Sequence, residues 1–399
     1  MKKTGLILVL GFLLSNGHAQ NQATYEVGQG FGFELNNGDY AFNIGGSLQP
    51  EIYVEKPDGA DAQSWFRSRR SFFRITGKSK PQKLSFMFLA DFSDPDALLD
   101  AWLAYKPWEG VEVKAGQMLS PANNREMLFL EDHLSFASRS ALSETYSRTG
   151  REFGLNLHLK KYIGKSRWSL YAMVASGDGR NSFGVDARDN DLGGLKYAAR
   201  LDIFPLGDFK PYNDEQLADL EFEEKPKLVL GVAGSLNNGA SQEVGEGHGG
   251  VELYNQSGVL QYANYRKLFG DVMFKYKGWA FLGEYGLGTA SGLDNLYTDA
   301  FALQPLLPEQ ISGYYHLGSG FNSTLSYTYG GRWGLDVRYS QIAREFEQTT
   351  SLVNDFSAFD LGFTHYFNKQ GLKFQLSAGQ IQNNNVATLR MGLLCQIIF

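Results

Sequence analysis

Residues 65–77, Trp-Phe-Arg-Ser-Arg-Arg-Ser-Phe-Phe-Arg-Ile-Thr-Gly, restrict the fold more than any other stretch of the chain. At a period of two they set Phe73 and Ile75 on one face and Arg70, Phe72, Arg74 and Thr76 on the other. In a water-soluble sheet the charged face would meet bulk solvent. In a closed barrel within a bilayer, the apolar face meets lipid and the charged face meets an aqueous lumen. Residues 83–92 sharpen the choice. Leu84, Phe86, Phe88, Ala90 and Phe92 share one side; Lys83, Ser85, Met87, Leu89 and Asp91 share the other. That length suits a transmembrane strand of about 9–11 residues.

The chain opens Met1-Lys2-Lys3, runs through an apolar segment over 6–14, and reaches Gly17-His18-Ala19 before Gln20. A basic start, a short apolar stretch and a small-x-small site make 1–19 a secretory signal peptide. The apolar segment is shorter than the roughly 20 residues of a membrane helix, and no later run is long enough either. An exported chain without a helical span is expected. The formal charge of −6 argues against a nucleic-acid partner. One cysteine, Cys395, excludes an intramolecular disulfide framework and, among alternating apolar neighbours, reads as a packing residue. Glycine fills 46 of 399 positions, above the ~7% norm, and aromatics reach 14%, which favours β structure with tight turns and interfacial girdles.

Residues 20–39 read as a loose lead-in, with Gly28-Gln29-Gly30-Phe31-Gly32 lacking the strand and helix that a nucleotide loop requires. The barrel is expected over 40–399. Alternation begins at Tyr40, breaks at Pro50, and returns in strands at 100–106 and 111–117, joined by Pro107-Trp108-Glu109-Gly110. Further strands are expected at 152–160, where His158 and Lys160 lie opposite Leu157 and Leu159, and at 167–176, 196–204 and 227–236. A hairpin over 269–288 and strands at 321–329, 333–342, 359–367 and 373–381 follow. Over 119–147 alternation fails, and Arg125 and Arg139 stand among Glu126, Glu131 and Asp132, with Arg148 just beyond. Such a long aperiodic loop is functional or disordered; in a barrel, a loop of this kind can fold inward and narrow the pore. Residues 181–191 read as an exposed loop, 205–224 as a polar, acidic connection, and 237–250 as a Gly-rich mobile one.

The last eleven residues place Leu389, Met391, Leu393, Cys395, Ile397 and Phe399 on one face, with Arg390 and Gln396 turned inward. A strand of this kind ending in Phe is similar to the insertion signal of Gram-negative outer-membrane barrels. At roughly 20–25 residues per strand and connection, the chain holds about 16 strands. The expected class is all-β: a transmembrane antiparallel β-barrel.

Three blocks carry a resemblance to one family. They are Phe66-Arg67-Ser68-Arg69-Arg70-Ser71-Phe72-Phe73-Arg74 through Gly77; Asp100-Ala101-Trp102-Leu103-Ala104-Tyr105-Lys106-Pro107 through Lys114-Ala115-Gly116-Gln117; and Glu223-Glu224-Lys225-Pro226-Lys227-Leu228 with Phe274-Lys275-Tyr276-Lys277-Gly278 and Gly283-Glu284-Tyr285. In order and spacing the chain resembles the phosphate-selective porin O and P family in its Bacteroidetes-type form. The resemblance implies a homotrimer of 16-stranded barrels in the outer-membrane lipid, with lumen arginines and lysines passing small anions such as phosphate or polyphosphate, and no cofactor. Phe72 departs from the pattern, standing where the family often has another basic residue.

The candidate lumen residues are Arg70, Arg74, Lys114, Arg125, Arg139 and Arg390. Arg70 and Arg74 stand about 13 Å apart along one strand face, and guanidinium forks match phosphate oxygens. The same arginines also suit ion pairs to acids of the lumen wall, and Arg125, Arg139 and Arg148 suit pairs that order their loop. Both readings stand. No enzymatic motif accompanies the histidines, which lack HExxH spacing. A rival reading makes the barrel a non-conducting structural subunit of an outer-membrane assembly or secretion complex.

Overall fold

The computed structural model describes residues 22–148, 150–181, 193–246, 249–383 and 386–399. The expected signal peptide therefore lies outside the described residues, as does nearly all of the 181–191 loop.

Among the described residues eighteen strands form. A hairpin, β1 (Gln22–Glu26) and β2 (Gly30–Leu35), comes first. The wall begins with β3 (Tyr40–Pro57), β4 (Gln63–Ser79), β5 (Leu84–Asp91), β6 (Leu98–Tyr105) and β7 (Val111–Leu119). It continues with β8 (Arg151–Ile163), β9 (Ser166–Ala175), β10 (Lys196–Phe204), β11 (Lys227–Asn237) and β12 (Asn264–Tyr276). It ends with β13 (Trp279–Ser291), β14 (Gly318–Tyr329), β15 (Trp333–Arg344), β16 (Phe356–Asn368), β17 (Leu372–Asn383) and β18 (Val386–Ile398). Each wall strand pairs antiparallel with its neighbour in sequence, and β18 returns to β3 (Arg390 opposite Glu55), closing a barrel of 16 strands. Closure leaves no wall strand with an open edge in the bilayer.

Exposure alternates in the reverse sense to that of a soluble protein. On β15 the outward Trp333, Leu335, Val337 and Tyr339 are exposed, while Asp336, Arg338 and Ser340 between them are buried. Phe88, Leu361 and Ile397 are likewise outward and exposed. Phe86 is half-buried because its ring lies over Gly77, where any side chain would collide with it, and 6.3 Å from the Phe42 ring. Ring pairs such as Trp279–Tyr327 (4.6 Å, tilted) and Trp333–Phe363 (5.4 Å, stacked) mark a girdle at one rim. An apolar belt with aromatic edges around a closed wall is a membrane-spanning surface, and it places the chain in a Gram-negative outer membrane.

Pro50 does not end a strand. It sits at a register shift between Leu48 and Pro50 within the continuous β3, where a residue without an N–H costs no ladder bond. The loose lead-in is also corrected. β2 pairs with the lower part of β3 (Phe31 opposite Ile44), prolonging the line of β18, and the Gly28 N–H donates to the Ile398 carbonyl at 2.9 Å. Gly28 and Gly30 take φ of +98° and +86°, so the glycine run is a hairpin turn.

One rim carries short turns, as at Lys277-Gly278, and the other long loops; by the usual pattern these face the periplasm and the exterior. The connections 238–263 and 292–317 pack a core of their own over the long-loop rim, with Ala240, Leu253, Leu296 and Tyr315 buried. The described part of 237–250 is thus folded rather than mobile.

Candidate functional site

The aperiodic segment after β7 enters the lumen. It carries two short helices, α1 (Arg125–Leu128) and α2 (Ala141–Tyr146), the latter capped by the Ser140 hydroxyl accepting from the Ser143 N–H. An irregular backbone inside a barrel needs donors for its carbonyls. Inward side chains of the wall supply them. Arg70 donates to the Ala137 carbonyl at 3.1 Å, Arg338 to Ser138 at 2.9 Å, Lys373 to Leu134 at 2.9 Å, and Gln396 to Asp132 at 3.0 Å.

The candidate arginines are drawn into the same construction. Arg125 contacts Asp271 at 2.5 Å and Asp202 at 2.6 Å, with Arg200 joining the same two carboxylates. Arg74 pairs with Asp132 at 2.8 Å, Arg139 with Glu131 at 3.1 Å, and Arg390 with Asp360 at 2.7 Å. Arg139 also donates to the Glu126 and Phe129 carbonyls. Arg148 remains largely exposed, 3.7 Å from Glu243. Lys114 lies 4.0 Å from the Trp102 ring centroid and 3.8 Å from Glu112. Arg70 alone of the six has no carboxylate within 4.0 Å among the described residues; its other contact is Gln49 at 2.9 Å. Burial would raise the Glu131 carboxyl, but Arg151 and Arg139 outweigh it and hold it well below the ordinary carboxylate range.

Sequence reasoning passed over Arg151, Arg200 and Arg338, which complete these networks with Asp100, Asp202 and Asp360. For Arg200 and Arg338 the signal was present, since each occupies an inward position of an alternating strand; Arg151 shares the parity of the outward Phe153 and Leu155, so alternation would set it on the other face. Their partners lie on other strands, and alternation does not name partners.

A second segment enters from the short-turn rim. The connection 205–226 is polar and acidic in sequence, yet Phe209 and Leu217 are buried in one apolar cluster with Phe129 and Leu134 of the first segment and with Val229, Met273 and Leu282 of the wall. Its acids are consumed locally: Asp208 and Asp214 each lie 2.9 Å from Arg167. Lys275 donates to the Asn213 and Ala218 carbonyls, and Gln370 on the far side donates to Gln216 at 2.8 Å. Insertions from both rims therefore meet inside the barrel.

Open space remains along β4–β8. At the long-loop end a cleft of about 220 Å³ is lined by Arg70, Arg139, Arg148, Arg151 and Arg180, against Asp91, Asp94, Glu131 and Glu144. At the short-turn end a cleft of about 570 Å³ holds Lys78, Lys80, Lys83, Lys106 and Lys160 against Glu109 and Glu112. Basic side chains outnumber acidic ones by five to two at the short-turn end and by five to four at the long-loop end.

No protein-family model matches the chain, and no curated protein matches it in sequence. Solved structures resemble it in fold. OmpT of Vibrio cholerae, expressed in the outer membrane, gives a TM-score of 0.52 at 10% identity, over 90% of this chain and 98% of that one. An anion-selective porin from Comamonas acidovorans gives 0.53 at 10% identity, over 90% and 100%. OmpF of Salmonella typhi gives 0.51 at 11% identity, over 94% and 100%. Identities this low speak for the fold alone.

Proposed function

We propose that this barrel is an outer-membrane porin through which small anions diffuse passively along the unfilled β4–β8 side of the lumen. The observation that carries the reading is the cation excess in both clefts, five lysines against two glutamates at the short-turn end. The arginines that pair with acids shape the path; Arg70 and the unpaired lysines supply the field. Phosphate-like oxyanions fall within this class, being matched by ammonium and guanidinium donors. A trimer is the expected assembly, one solved neighbour being described in trimer form.

Planar-bilayer recording of the purified protein tests this. In a salt gradient the reversal potential should show anion preference, reduced at 1 M salt, where the Debye length is only ~3 Å. Charge removal by Lys78→Gln with Lys160→Gln should weaken the preference. Cation preference would overturn the anion reading. A silent barrel that co-purifies with large partners would replace it with the structural-subunit reading.

A further inference from the structure

The short-turn cleft is more than a ring of lysines. Trp108, at the turn between β6 and β7, lines it and is 67% exposed. At the inner end the His158 ring lies parallel to Tyr171, with centroids 4.1 Å apart and 8° between planes. The Nε2 atom of His158 is buried with no hydrogen-bond partner among the described residues, and so is Asn156 Oδ1, two residues away on the same inward face of β8. Buried polar atoms are almost always paired, so the unpartnered His158 Nε2 on the wall of this cleft marks a place for something to bind.

The charges around this cleft are available. Lys106 lies 3.1 Å from Glu112, and Lys83 donates to the Pro107 carbonyl at 2.8 Å. Lys78, Lys80 and Lys160 have no carboxylate within 4.0 Å among the described residues. Lys160 approaches only the Tyr162 ring, at 5.6 Å. The volume, about 570 Å³, is that of a small-molecule site. A bare inorganic ion would use the ammonium groups and leave the rings and His158 Nε2 idle. An anion with a flat apolar body would use both, placing its ring on Trp108 and its head among the lysines.

We infer that the short-turn cleft between β4 and β8 is a binding subsite for organic anions, of the class of aromatic monocarboxylates. As a step in transport it rests on the anion-porin reading; as a binding site it does not.

The experiment uses the detergent-solubilised full-length protein and two probes, benzoate and acetate, at matched ionic strength. Calorimetry should give benzoate an affinity about tenfold above acetate, the scale of one ring contact. In bilayers, benzoate added at the short-turn side should reduce the salt current more than acetate does. Trp108→Ala should collapse the benzoate-to-acetate ratio and Trp108→Phe should keep it, the ratio being read within each variant after heat-modifiable mobility confirms a folded barrel. Equal affinity of the two probes overturns the site, as does a ratio that survives Trp108→Ala. Anion-selective current without benzoate preference defeats the site alone. Benzoate binding to a barrel that passes no current upholds the site and defeats the transport reading.

Discussion

Arg74, on the wall strand β4, pairs at 2.8 Å with Asp132 of the inserted segment, whose carboxylate is almost wholly buried. An arginine whose spacing from Arg70 suggested an anion ladder thus fastens the plug that narrows the channel. Removing it strands a buried carboxylate, the costly way to break such a pair. Arg74→Ala should lower barrel stability by about 3 kcal/mol in denaturant titration and make single-channel current noisy. Arg74→Ala combined with Asp132→Asn should recover most of the loss; an additive double mutant would show that the two residues do not act as a pair.

Phe129 and Leu134 of one insertion pack with Leu217 of the other inside the barrel. Replacing 210–222 by a short Gly-Ser turn should therefore raise single-channel conductance several-fold, with the outer wall unchanged by circular dichroism. Unaltered conductance would place the segment outside the path.

The lipid belt makes a separate prediction. Leu361, outward at the middle of β16, is 49% exposed on the lipid face. Leu361→Arg should cost about 2–4 kcal/mol in folding from urea into vesicles, as midplane cations do. The same change in a soluble protein would be nearly neutral, so the two outcomes separate cleanly.

Acid should loosen the inserted segment. His133 is held below its ordinary value, chiefly by burial, and so stays neutral in place. Glu131 and Asp132 are depressed because neighbouring arginines outweigh the opposing effect of burial. Depressed groups stabilise the inserted state above their free values and lose that contribution as pH falls through the folded ones. Insertion should be firmest at neutral pH, weaken first below about 6.5 through His133, and again below about 4 through the carboxylates. Current noise against pH reads this; His133→Gln should remove the first phase and Glu131→Gln part of the second.

Much of the wall was legible from local pattern. The faces of 84–89, of the strand bearing Arg70 and Arg74, and of β18 stand as alternation placed them; Ala90, expected outward, is buried where the register shifts between Leu89 and Ala90. Alternation is a property of extended backbone itself, with successive side chains on opposite sides whatever the rest of the chain does. It also set Arg70, Arg74, Lys114 and Arg390 on one face of their strands; Arg125 and Arg139 lie on the inserted segment, where no alternation runs. It did not reveal that 205–226 would fold inward, because that segment has no period, and its few apolar residues, Phe209 and Leu217 among them, acquire a partner only when Phe129 and Leu134 arrive from the opposite rim.

The amino-acid order by itself determined that this chain builds a closed wall with oil outside and water within, since a one-residue slip would exchange the two surfaces everywhere. Which lumen charges remain free to meet a solute was decided only by the tertiary structure. Arg125 finds Asp271 across 146 positions of sequence, while Arg70 finds no acid within 4.0 Å among the described residues. Coulombic pairing falls steeply with distance, and distances across a barrel are set by its closure and its plug, which no local pattern encodes.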